Sequence, residues 1–134
     1  LISSRTYSYE AKDLKQREAD MKKYFKTAII KDITVITFLS SETAMEEIEA
    51  LKTLLYRLAS DPNKNFVINM CMCSFIPSLM LGVLASFNAK VGVLGGRVAF
   101  ACLTEHSKTV FRLTKLDKIF NVYSTEKEAV ESFK

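Results

Sequence analysis

The side chain best placed to do chemistry in this sequence is the hydroxyl of Ser78. It stands where the run Cys71-Met-Cys-Ser-Phe-Ile-Pro-Ser-Leu-Met-Leu-Gly-Val-Leu84 passes from a strand through a polar turn into an apolar helix. The first backbone N–H groups of a helix have no intrahelical acceptor and lie at the positive end of its dipole. A serine at that position can cap them, and the same groups tolerate a phosphate carried on its oxygen. Ser78 therefore reads as an acceptor or a cap rather than as part of a catalytic set.

The other reactive side chains do not assemble a site. Cys71, Cys73 and Cys102 are an odd number without a paired framework, and no secretory leader is recognised, so a reducing cytoplasmic setting is expected. Cys71 and Cys73 on an extended strand would point the same way with no further ligand. The single His106 does not complete a zinc site, so the cysteines read as small core residues. With one histidine, no glycine-rich phosphate loop after a strand and no carboxylate pair in a cleft, neither an enzyme nor a cofactor is expected. Gly92-x-x-Gly95-Gly96 reads as a helix end and turn.

The bulk composition agrees with a binding domain. A chain of 134 residues, 49% hydrophobic and 25% charged, fits one globular unit that buries its own core. Its net charge of +4 is not a basic stripe: residues 1–24 hold six Lys/Arg against four Asp/Glu, and the rest is scattered. Nucleic acid is thereby disfavoured as a partner. The run between Lys64 and Lys90 carries no charge and is long enough to raise a membrane span. Asn69, Pro77 and Asn88 interrupt it, and its first part has strand character while its second has helical spacing, so insertion into a membrane is not expected.

Several elements must hold the Ser78 turn in place. Residues 1–23 form a polar, helix-prone arm with a weak stripe of Ala11, Leu14 and Met21, read as a linker or as a dimer-forming helix. Tyr24 to Ile30 and Ile33 to Leu39 are β-rich runs joined by Lys31-Asp32, which suits an antiparallel hairpin. Thr43-x-x-Glu46 has capping-box spacing ahead of Met45, Ile48, Leu51, Leu55 and Leu58. The helix they predict carries Glu42, Glu46, Glu47 and Glu49 on a solvated face. Phe66 to Met70 is predicted as a central parallel strand covered on both faces. The helix from Ser78 to about Lys90 is expected to bury Leu81, Val83, Leu84 and Phe87, followed by a strand over Arg97 to Leu103. Thr104 caps a helix that turns Val110, Phe111 and Leu113 inward, a short strand lies around Ile119 to Val122, and Ser124 or Thr125 opens the last helix, Thr125-x-x-Glu128 having capping-box spacing. The expected fold is α/β: a mixed, mostly parallel sheet of four or five strands that starts with an antiparallel hairpin and is packed with about four helices.

This order of elements, with Phe75-Ile-Pro-Ser-Leu-Met-Leu-Gly-Val-Leu84, Gly96-Arg-Val-Ala-Phe-Ala-Cys-Leu103 and Leu113-x-x-Leu116-Asp-Lys-Ile-Phe120 before Ser124-Thr-Glu-Lys-Glu-Ala129, resembles the STAS domain family. The family includes the bacterial anti-sigma-factor antagonists and a domain of sulfate transporters. The resemblance implies a STAS-like domain over residues 24–134. It also implies that Ser78 matches the serine that a GHKL-type kinase, itself an anti-sigma factor, phosphorylates and a PP2C-type phosphatase restores. Such a domain is a cytoplasmic partner switch in transcription and signalling: unmodified it binds the kinase and frees a sigma factor, and phosphorylated it lets go. At the central turn Phe75, Ile76, Ser78, Leu81 and Gly82 agree with the family pattern, while Pro77, Leu79 and Met80 replace its Asp, Ser or Thr, and Gly. Around Ser78, the residues Ser41, Pro77, Leu79 and Met80 are expected to touch the partner. The alternatives are a constitutive STAS scaffold in a signalling or lipid-transport assembly, or the cytosolic domain of an anion transporter.

Overall fold

The computed structural model describes residues 19–40, 44–60, 62 and 64–133. Strands β1 (Phe25–Ile30) and β2 (Ile33–Phe38) form the antiparallel hairpin, in register from Phe25 opposite Phe38 to Ile30 opposite Ile33. Its two-residue turn needs left-handed backbone at both positions, and Lys31 and Asp32 adopt φ of 52° and 66° in place of the usual glycine. Helix α1 (Met45–Ala59), strand β3 (Asn65–Asn69), helix α2 (Ser78–Val93) and strand β4 (Arg97–Ala101) follow. After them come helix α3 (Glu105–Leu113), a 3-10 turn at Leu116–Lys118, strand β5 (Asn121–Tyr123) and helix α4 (Glu126–Glu131). The strands lie in the order β1-β2-β3-β4-β5, and β2, β3, β4 and β5 run parallel.

The alternating side chains of the sheet feed two cores. One face presents Ile36, Phe38, Phe66, Ile68 and Phe100 to α1, α2 and α3. The other presents Val35, Val67, Ala99 and Ala101 to Ala129 and Val130 of the short α4, where the small side chains let the helix approach closely. Strand β3 is thus covered on both sides, which accounts for its uncharged sequence. Arg97 pins α4 from beneath: its guanidinium donates to Ser132 O at 2.9 Å and to the Ser132 hydroxyl at 2.7 Å, and lies over the Phe133 ring. Residues 19–24 are helical, and Met21 and Tyr24 are buried in the larger core, so packing begins ahead of β1.

The end of α2 shows why two glycines follow it. Gly96 N–H reaches Val91 O at 2.9 Å and Gly95 N–H reaches Gly92 O at 3.1 Å, with Gly95 at φ 89°. This is the Schellman closure, which needs a left-handed residue just past the helix. A Cβ at Gly96 would overlap the carbonyl oxygen of Lys64, so the chain can start β4 beside β3 only with glycine there.

Several sequence expectations are corrected. The N-cap of α1 is Ala44, whose carbonyl accepts from Glu47 N and Ile48 N, so Thr43 and Glu46 do not form a capping box about that start; Thr43 and Glu42 lie outside the described residues. The Glu46 carboxylate instead accepts from the Tyr24 hydroxyl at 3.3 Å. Glu47, expected on the solvated face, is fully buried, because it falls one position before Ile48 on the side facing the loop after β3. Met45 is exposed at the first turn of α1. Leu113 is also exposed, since the buried stripe of α3 runs through Ser107 and Phe111 and Leu113 lies about half a turn away.

Candidate functional site

The site is the segment of residues 70–77 together with the first turn of α2, at the C-terminal edge of the parallel strands. Open α/β sheets usually present ligands at this edge. The strand ends in a polar knot. Asn69 Nδ2 donates to Glu126 Oε1 at 3.0 Å, tying β3 to α4, and Asn69 Oδ1 accepts from Cys71 N at 3.0 Å. Residues 71 and 72 form a turn, so Cys71 is exposed while Cys73 is buried. This corrects the expectation of both cysteines on one strand face and in the core; Cys102 is half-buried, at φ 59°.

Helix α3 holds this loop from the side. Cys73 O accepts from the hydroxyls of Thr104 at 3.2 Å and Ser107 at 3.3 Å. Thr104 also caps α3, its oxygen accepting from Ser107 N at 3.2 Å, as its position after β4 predicts. Beneath the loop Cys73 and Glu47 are both buried. Burial first, and the neighbouring carboxylate of Glu47 second, push the Cys73 thiol up to about 12, and its Sγ donates to Phe75 O at 3.5 Å. At neutral pH Cys73 is therefore a neutral packing residue rather than a nucleophile. Among the described residues no group of three His, Cys, Asp or Glu side chains gathers to hold a metal.

Above the knot the chain turns outward. Ile76 and Met80 plug the core, and the chain between them carries Pro77, Ser78 and Leu79 around the start of α2. Pro77, not Ser78, is the N-cap, with φ −72° and ψ 156°. Its carbonyl accepts from Met80 N at 3.0 Å and Leu81 N at 3.2 Å. Ser78 is thus the first helical residue, and no side chain caps α2. The N–H groups of Ser78 and Leu79 precede the first intrahelical bond and face out of the helix end.

The residues expected around Ser78 separate by exposure. Ser78 is exposed, Pro77 half-buried and Leu79 49% exposed. Met80, expected at the partner surface, is completely buried: it begins the stripe Met80, Leu84, Phe87 and Val91 that faces the sheet, so it cannot touch a partner. Ser41 lies outside the described residues. Two exposed apolar side chains of the loop were not expected in the site, Phe75 at 51% and Met72 at 51% exposure. The Phe75 ring stacks on His106 at 5.1 Å with an interplanar angle of 25°. Phe75 was legible as part of the turn, but nothing in the sequence pairs it with a histidine 31 positions on. Only the docking of α3 beside the loop does so.

The fold is shared with solved structures of proteins assigned as anti-sigma-factor antagonists. A Thermotoga maritima protein provisionally assigned as an anti-sigma-factor antagonist superimposes with a TM-score of 0.75, at 24% identity, over 81% of this chain and 92% of its own. The Bacillus cell-fate determinant SpoIIAA in its phosphorylated form superimposes with a TM-score of 0.66 at 18% identity, over 82% of this chain and 99% of that one. The murine anion transporter Slc26a9 matches with a TM-score of 0.63 at 14% identity, over 75% of this chain but 17% of the transporter. No curated protein matches the chain in sequence. The STAS domain model matches residues 24–129, and the chain belongs to the STAS domain family. Among the described residues no helix is long and apolar enough to cross a membrane, the uncharged run being divided between β3 and α2.

Proposed function

We propose that this chain is a binding protein of the anti-sigma-factor-antagonist type, without catalytic activity, whose hold on a partner is controlled by phosphorylation of Ser78. The observation that carries the reading is the uncapped start of α2, where the exposed Ser78 hydroxyl sits beside two outward backbone N–H groups and an exposed apolar rim of Leu79 and Phe75. The likeness in fold to SpoIIAA, which exists in a phosphorylated form, supports it. The partner in this reading is a serine kinase of the GHKL type acting as an anti-sigma factor, with a PP2C-type phosphatase resetting the switch in the cytoplasm. The partner-binding unit is the domain over residues 24–134, and the arm or linker of residues 1–23 joins it through Met21, which packs into the core.

A phosphoserine bears about −1.5 to −2 charges, which the helix N-terminus accepts without unfolding. The cost falls at the interface, where a dianion must lose its water against a surface shaped for a hydroxyl. A penalty of roughly 4 kcal/mol there weakens binding about a thousandfold, enough for a switch with no change of shape.

The test is phosphosite mapping by mass spectrometry after incubation with the kinase and ATP, together with partner titration of the Ser78→Ala and Ser78→Asp forms. Phosphate on Ser78, retained binding by Ser78→Ala and lost binding by Ser78→Asp are expected. No phosphate on Ser78, from a kinase that modifies another STAS protein, would refute the switch. The departure of Pro77, Leu79 and Met80 from the family's Asp, Ser or Thr, and Gly favours a second reading, a constitutive STAS adaptor in a signalling or lipid-transport assembly or a transporter, in which Ser78→Ala and Ser78→Asp bind alike.

A further inference from the structure

Helix α2 is apolar all round, with Lys90 its only charged residue, yet it buries only the stripe Met80, Leu84, Phe87 and Val91 against the sheet. A helix of that composition is normally covered on most sides. Here a second stripe, through Leu79, Val83 and Ser86, is left facing α1, and between the two helices runs an open groove of about 340 Å³. Its floor is apolar, formed by Leu55 and Ala59 of α1 with Val83 and Phe87 of α2. At Gly82 the floor is bare, since a Cβ there would meet nothing within 4 Å.

The rim is what specifies the occupant. Lys52 stands on the α1 wall and Lys90 on the α2 wall, and no carboxylate is among the residues that line the groove. Tyr56 is 69% exposed, with the Lys90 ammonium 4.7 Å from its ring centroid, and offers the kind of rigid aromatic edge that anchors interfaces. An apolar trough with Lys52 on its α1 wall and Lys90 reaching across from α2 to Tyr56 matches a helix whose apolar stripe is bordered by acidic residues. A fatty acid would answer only one of the two lysines.

We propose that the α1–α2 groove is a docking site for an acidic amphipathic helix of a partner protein, laid along α2 from Gly82 toward Lys90. The site adds to the Ser78 reading and does not depend on it, because floor and lysines are present whatever the state of Ser78.

The experiment is a display selection against the Ser78→Ala chain, using a library of helical peptides with a fixed apolar stripe at i, i+4 and i+7 and randomised flanking positions. Affinities of the selected peptides are then measured by fluorescence anisotropy. Glu and Asp should dominate the flanking positions. Gly82→Leu, with its melting curve checked against the parent, should weaken binding by about tenfold or more by filling the floor. Lys52→Glu combined with Lys90→Glu should do the same, and peptides with the flanking acids changed to Lys should regain affinity for that double variant. An empty selection, flanks without acidic bias, affinity unmoved by Gly82→Leu, or displacement by palmitate or by a peptide of residues 1–18 would each overturn the proposal. The selected peptides should bind the Ser78→Asp chain equally well. If they lose it, they occupy the Ser78 turn and the groove proposal falls while the switch stands; failure of Ser78 to accept phosphate leaves the groove result untouched.

Discussion

Strands β3 and β4 both deliver the chain to the same edge of the sheet, and each is followed by a helix on the same face, but the two helices begin in opposite ways. Between β4 and α3 there are three residues, the last of which, Thr104, caps the helix, and Glu105 adds an acid to the first turn. Between β3 and α2 there are eight; the cap is a proline, no side chain closes the helix end, and the first turn carries no acid. Start α3 closes one amide, Ser107 N, with the Thr104 hydroxyl and lends hydroxyls to the neighbouring loop through Cys73 O. Start α2 has no side-chain cap and is held by apolar plugs, Ile76 and Met80, placed either side of what it exposes. The difference teaches that the stability of the α2 start is separated from its surface chemistry, so the surface can change charge without loosening the fold.

That separation can be broken most severely at Met80. An aspartate there would put a charge into the main core, a cost of ~4 kcal/mol or more against the roughly 5–15 kcal/mol that keep a domain folded. Met80→Asp should therefore fail to fold or melt far below the parent in a thermal scan. Leu79→Asp, one residue away, should keep the melting temperature within about 2 °C, since exposed substitutions rarely matter, and should abolish partner binding. Equal destabilisation by both would show that the turn does not separate fold from surface.

The next effect concerns the buried thiol below the loop and is read through pH. The Cys73 thiol is raised to about 12 in the folded protein, against about 8.5 in an unfolded chain. The stability it contributes is thus fully present below pH about 8.5 and is lost as pH rises toward 12, because only the unfolded form ionises in that window. The slope is at most about 1.4 kcal/mol per pH unit. Urea titrations across this range should show a steeper fall for the parent than for Cys73→Ala, and a thiol reagent at neutral pH should label the exposed Cys71 but not Cys73. Parallel pH curves for the two proteins would show that the loop opens to solvent around Cys73.

On the α3 side the expected loss is smaller. Thr104→Ala removes the cap of α3 and one of the two hydroxyls on Cys73 O, while Ser107 keeps the other. A loss of about 1–2 kcal/mol in urea denaturation is expected. No loss would mean that α3 too is held by packing, and the contrast between the two helix starts would disappear.

The sheet was largely legible in the sequence because its signals are local. Lys31-Asp32 sits between two β-branched runs, β3 is uncharged between turns, and Thr104 and Thr125 both cap helices where their spacing puts them. What failed was facing. Period alone does not say which of Leu79 and Met80 points to the sheet, and the one-residue displacement of the cap from Ser78 to Pro77 rotates the whole first turn. The same holds for Glu47, whose acidic neighbours read as one solvated group although the helix turns it inward under the Cys73 loop. The partnership of Phe75 with His106 depends on the crossover between β3 and β4 and has no local trace.

The smallest effect bears most directly on why α2 is left open. Pro77→Asp would place at the N-cap a carboxylate able to accept from the amides of the first turn, worth about 1 kcal/mol, with a further few tenths from the dipole. Against this stands the rigidity of proline, whose removal costs about 0.4–1 kcal/mol through the unfolded chain. The observed φ of −72° and ψ of 156° are open to either residue, so no strain enters. A net gain of roughly 0.3–0.9 kcal/mol in urea denaturation is expected. The same carboxylate would occupy the amides that a phosphate on Ser78 would use, so the phosphorylated Pro77→Asp protein should melt below its unphosphorylated form, whereas the parent should not. A clear loss of stability in unphosphorylated Pro77→Asp would mean that the fixed φ of Pro77 holds the turn, and the contrast with α3 would then be one of backbone stiffness rather than of an open helix end.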